Sequence, residues 1–145
     1  MALLECTLTP PHSYLAVFRF NTNAMGNPNA GIGITKLPGP VNDTPFGKTK
    51  ASVLYSSAGD CIYDDSPIKG NESWKAESGD DFTYVAVEVS LSASPKILFF
   101  ANGKLQPVFF TGLAEPCKIG VCFVCWLLSL ILLSSRCLAD VHSAT

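Results

Sequence analysis

Charge is scarce in this chain. Of its 145 residues, 15% are Asp, Glu, Lys or Arg, where a soluble domain averages about 25%. Hydrophobic residues make up 48%, which excludes a disordered chain, since disorder needs low hydrophobicity and high charge. The net charge is −2, so the basic footprint that nucleic-acid binding requires is missing. Histidine is nearly absent: His12 and His142 stand near the two ends, and no Ser/His/Asp or Cys/His arrangement is offered. A phosphate-cradling loop is missing too. Gly31-Ile32-Gly33 lacks the third glycine and the helix that a dinucleotide site needs. Residues 1–116 carry no helical period, and the length allows one ordinary domain.

No secretion signal is expected at the N-terminus. MALLECTLTPPH holds Glu5, no basic residue, and Pro10-Pro11 where an apolar core is required. The expected location is therefore cytoplasmic, and the sequons at Asn42 and Asn71 are expected to stay unused. The six cysteines (Cys6, Cys61, Cys117, Cys122, Cys125, Cys137) are then expected to be free thiols that pack as small hydrophobes. Cys117-x4-Cys122-x2-Cys125 imitates a cluster spacing. Its intervening residues, Ile119, Val121, Phe123 and Val124, read as strand or helix rather than as a ligand loop. The acidic pairs Asp64-Asp65 and Asp80-Asp81, with Asp60, match no calcium or glycosidase geometry. No catalytic residue, metal, cofactor or small-molecule substrate is expected.

What the chain has is β pattern. Tyr14–Phe20, Gly31–Ile34, Val53–Ser56 and Cys61–Tyr63 are short apolar runs divided by Gly- and Pro-rich segments. Over Tyr84–Leu91 the alternation puts Val85, Val87, Val89 and Leu91 on one face. Lys96–Ala101 meets Lys104–Phe110 across Asn102-Gly103, a pair suited to a type I′ hairpin turn. Phe99 and Phe109 are expected to pair across that hairpin, with Pro107 at an edge or bulge. Asp64–Ser73 reads as a polar loop.

The tail differs from the body. No charge lies between Lys118 and Arg136, and the gap, Ile119–Ser135, is an uncharged, largely apolar run. As a helix it would span about 25 Å, at the lower limit for crossing a membrane. Two readings follow. One is a helical tail anchor that would hold the domain on the cytoplasmic face of a membrane. The other, favoured by the borderline length, is a buried strand over Lys118–Cys125 with a buried or irregular end.

The order of motifs resembles a known family. Gly31-Ile32-Gly33-Ile34 is followed by Tyr55-Ser56-Ser57-Ala58-Gly59, then by Ser78-Gly79-Asp80 and the alternating valine strand. Ile97-Leu98-Phe99-Phe100, Asn102-Gly103-Lys104 and Phe109-Phe110-Thr111-Gly112-Leu113 complete the series. This resembles the SPRY domain, the core of the B30.2 module, over roughly residues 14–123. The resemblance implies an all-β fold: a bent, concanavalin-like sandwich of two antiparallel sheets. Residues 1–13 would be an N-terminal extension, 119–135 the apolar segment and 136–145 a polar tail.

The resemblance also implies a module that binds a peptide or protein surface through loops at one edge. Two features depart from the pattern. The family's N-terminal strands are reduced, and the chain after Lys118-Ile119-Gly120-Val121 turns apolar where the family has polar turns and a closing strand. The candidate contact loops are Asn21–Asn29, Lys36–Lys50 and Asp64–Trp74. Asn23, Phe46, Tyr63, Asp64, Asp65 and Trp74 are the candidate contact residues, the aromatics serving as anchors. Core packing is the competing role for Tyr63 and Trp74.

Overall fold

The computed structural model describes residues 2–3, 7–21, 30–37, 50–75, 82–123 and 131–132. Among these, every regular element is a strand. In chain order they are β1 (Ala2–Leu3), β2 (Ser13–Asn21), β3 (Ala30–Lys36), β4 (Ser52–Ser56), β5 (Cys61–Tyr63) and β6 (Ser66–Ile68). Then follow β7 (Phe82–Ser90), β8 (Lys96–Ala101), β9 (Lys104–Leu105), β10 (Phe110–Thr111), β11 (Cys117–Phe123) and β12 (Ile131–Leu132).

They form two antiparallel sheets packed as a sandwich. One has the order β1-β11-β3-β4-β5-β6, the other β10-β8-β7-β2-β12, with β9 also paired to β8. The alternation is what selects this arrangement. In β2, Tyr14, Ala16, Phe18 and Phe20 are buried, because residues two apart share a face. Opposite them across the β2–β7 ladder, Val85, Val87 and Val89 are fully buried, and Leu91 just beyond is buried too. Ile32 and Ile34 from β3, Val53 and Tyr55 from β4, and Ile119 and Val121 from β11 supply the other wall. Each such side chain contributes on the order of 1.5–3 kcal/mol by leaving water.

Aromatic rings join the two sheets. Tyr55 on β4 meets Phe99 on β8 at 5.4 Å between ring centroids. Trp74 packs on Phe20 at 4.7 Å and edge-on against Tyr55 at 5.6 Å. The series continues from Phe99 to Phe110 at 6.4 Å, and from Phe110 to Tyr63 at 5.8 Å, where it reaches the surface.

The hairpin turn forms as its residues require. Asn102 and Gly103 both take positive φ, 48° and 80°, and the Asn102 side chain locks the corner. Its Oδ1 accepts from the Tyr84 N–H at 3.0 Å, and its Nδ2 donates to the Lys75 carbonyl at 2.8 Å.

Three sequence expectations need correction. First, Lys104–Phe110 is not one strand. The ladder runs Ala101↔Lys104 and Phe100↔Leu105, then resumes at Ile97↔Phe110. The resumed register is displaced by two residues. Pro107 has no N–H to donate, so the chain leaves the sheet there. Phe99 therefore meets Phe110, edge-on, while Phe109 turns outward and is 51% exposed.

Second, Asp64–Ser73 is not all loop. Asp64 and Asp65 adopt positive φ, 52° and 61°, and return the chain into β6, which pairs with β5. Aspartate tolerates this left-handed conformation better than most residues. The alternation of so short an exposed strand around Pro67 is too weak to read.

Third, Ile119–Ser135 is not one helix. Its first five residues belong to β11, bonded along its whole length to β3, and Ile131–Leu132 pairs with β2. Among the described residues no helix is long and apolar enough to cross a membrane. Ile119 and Val121 are apolar because they fill the sandwich.

The N-terminal residues also join the fold. Ala2–Leu3 extends the first sheet beyond β11, and Leu8, fully buried, exchanges backbone bonds with Cys117.

Candidate functional site

At one end of the sandwich the two sheets part around a cleft of about 410 Å³. That volume lies within the range of about 300–1,000 Å³ usual for ligand sites. β5, β6 and the residues flanking the β3–β4 connection form one wall. The other comes from the start of β8 and residues 109–113. Tyr63, Ile97, Phe110 and Leu113 make an apolar floor, and Ile68 and Phe109 stand on the rim. These two rim residues are 39% and 51% exposed.

The rim is held by polar side chains that the β pattern does not reveal. Asn71 clasps the segment after Pro107. Its Oδ1 accepts from the Val108 N–H at 2.8 Å, and its Nδ2 donates to Cys61 Sγ at 3.1 Å and to the Val108 carbonyl at 3.5 Å. Gln106, 2% exposed, accepts from the Glu72 N–H at 2.7 Å and donates to the Lys104 carbonyl at 3.1 Å. Its own N–H donates to the Phe99 carbonyl at 2.8 Å. Buried amides satisfied in this way fix a backbone, because each broken bond would strand a polar group. The strandless stretch 106–109 is thereby tied to residues 71–72, with Phe109 outward and Phe110 inward. Gly70, at φ 140°, lets the chain pass Val108 where a side chain would be strained.

Among the described residues the charge in the cleft is of one sign: Lys36 and Lys50 line it, and no described carboxylate does. Glu115 reaches Lys36 from outside the lining at 3.5 Å, both side chains being exposed. Its carboxyl is held below the usual range by its own backbone N–H first, then by that of Ala114 and by Lys36.

The two described thiols are built for packing. Cys61 and Cys117 are free and fully buried. Burial pushes each thiol up to about 12, with Asp60 adding to the effect at Cys61 and Glu115 at Cys117. A thiol held that far from ionisation is a poor nucleophile and metal ligand. Tyr55 is also raised, chiefly by burial, and its hydroxyl donates to the Glu72 carbonyl at 2.6 Å.

The contact residues expected from sequence are divided by the structure. Tyr63 lines the cleft. Asp64 and Asp65 form the exposed turn directly after it. Trp74 is 4% exposed among Phe20 and Tyr55, so its ring is given to the core. Its Nε1 is buried with no hydrogen-bond partner among the described residues. Asn23 and Phe46 lie outside the described residues, as does the Ser78-Gly79-Asp80 motif. Ile68, Phe109 and Lys50 were not singled out from sequence. Two adjacent phenylalanines followed by Thr-Gly are a visible signal, but which of them turns outward depends on the displaced register.

No protein-family model matches the sequence, and no curated protein matches it. Solved structures do match its shape. The SPRY domain of human HERC1 superposes with a TM-score of 0.60 at 18% identity, covering 90% of this chain and 79% of that one. A human SPRY domain gives 0.65 at 13% identity, covering 90% and 81%. Stonustoxin gives 0.54 at 13% identity, with 89% of this chain matching 20% of that one. The chain therefore has the SPRY fold, a two-sheet antiparallel β-sandwich.

Proposed function

We propose that this chain is a non-catalytic protein-interaction domain that grips a short peptide segment in the cleft between Ile68 and Phe109. The observation that carries this reading is the exposure of those two large apolar side chains on the rim of an apolar cleft. Exposed apolar groups clustered in this way mark interaction sites, and aromatic anchors dominate binding energy. The clasps from Asn71 and Gln106 hold the rim before any ligand arrives, which lowers the ordering cost of binding. The cleft is lined by the described ends of one loop expected from sequence, Lys36 and Lys50, and by Tyr63 and Ile68 around the start of another.

A phage library of random twelve-residue peptides, panned on the full chain, tests the proposal. Clones retained by the wild-type chain should be lost from Ile68→Asp and Phe109→Asp variants, both at exposed positions that tolerate charge. Clones that bind these variants as well as the wild type would overturn it.

A further inference from the structure

The cleft carries its own statement about the ligand's charge. We infer that the peptide it takes is acidic, with an apolar side chain seated between Ile68 and Phe109 and a neighbouring carboxylate directed at Lys36 and Lys50. This inference rests on the peptide-binding reading of the same cleft.

The chain as a whole is slightly acidic, at −2, yet among the described residues the charged side chains lining the cleft are these two lysines. The fold brings them together. Lys36 closes β3 and its N–H donates to the Ala51 carbonyl at 2.8 Å, so the residue before Ala51, Lys50, stands at the same end of the sheet. The exposed turn carboxylates Asp64 and Asp65 are not among the lining residues. Glu115 shows what Lys36 accepts: a carboxylate at 3.5 Å. That pair is exposed, and exposed pairs contribute little, so an incoming carboxylate can replace Glu115 at small cost. Lys50 makes no ion pair to a described residue. The two lysines line the same cleft, so their positive potentials add there.

The peptides selected by panning supply the test. Those retained through the cleft should be enriched in Asp and Glu beside a large apolar residue. Their affinity, measured by fluorescence polarisation, should fall several-fold between 50 and 300 mM NaCl. The double variant Lys36→Glu/Lys50→Glu should weaken an acidic selected peptide about tenfold or more, and the same peptide with its acids replaced by lysine should regain binding to that variant. If neutral peptides bind as well and charge reversal changes nothing while Phe109→Ala still weakens binding, the acidic preference is wrong and the peptide site stands. If Phe109→Ala has no effect either, or no binder is recovered, both fail.

Discussion

At the scale of single residues, burial decides chemistry. Cys61 and Cys117 are fully enclosed, and each thiol is pushed up to about 12, far above the ordinary thiol value near 8.5. Both are acids whose protonated form the fold prefers, so their contribution to stability is complete below the unfolded value. It is lost as pH climbs from there toward 12, because the unfolded thiol ionises first. The chain should therefore show a flat denaturation midpoint from pH 6 to 8 and a falling one from pH 9 to 11. The slope is up to about 1.4 kcal/mol per pH unit for each thiol. A Cys61→Ala variant, although less stable at pH 7, should show a visibly shallower fall. An unchanged slope in that variant would count against this account of Cys61. Residue types alone identified these cysteines as packing groups. Which thiol is enclosed follows from the strand each one occupies, so burial had to wait for the fold.

At the scale of elements, the alternating strands were readable and the interruptions were not. β7 is legible because Val85, Val87 and Val89 alternate with more polar residues, and a slip of one residue would turn them all to solvent; β2 and β8 are legible as compact apolar runs. The β9–β10 segment was misread because Pro107 removes a ladder bond and Gln106 and Asn71 replace it with side-chain bonds, which no period reports. The β3–β4 pair shows a further constraint, in its glycines. A Cβ on Gly33 would stand 2.2 Å from the Val53 carbonyl oxygen, whereas one on Gly31 would meet the end of the Leu54 side chain at 2.6 Å. Backbone cannot step aside and a leucine can. Gly33→Ala should cost about 3 kcal/mol or more, and Gly31→Ala nearer about 1 kcal/mol, as measured by urea denaturation. Equal costs would mean that β3 and β4 approach less closely than described.

At the scale of the whole molecule, the start of the apolar tail is part of the sandwich. β11 lies between β1 and β3 and places Ile119 and Val121 in the core. A chain ending at Lys118 lacks those residues and should lose its near-ultraviolet circular dichroism and cooperative unfolding. A tail that served only as an anchor would leave residues 1–118 folded. The composition could show that 119–135 was unlike the body, but not which surface covers it, because a short buried strand and a short membrane helix share the same residues. The site was legible in the same partial way. Tyr63 and the flanking loops were visible as an aromatic and as breaks in pattern. Phe109 and Ile68 were not, since their exposure depends on a displaced register and on an edge strand.

The central claim is that peptide binding resides in the cleft rather than anywhere apolar surface is exposed, and Leu105 supplies the control. It is 59% exposed, more than Phe109 at 51%, and does not line the cleft. The dissociation constant of one selected peptide, measured on the full chain and on Phe109→Ala and Leu105→Ala, tests the claim directly. The account predicts weakening of about tenfold or more for Phe109→Ala, as expected for an aromatic anchor that the peptide covers, and less than about twofold for Leu105→Ala. Equal losses, or a larger loss at Leu105, would contradict it.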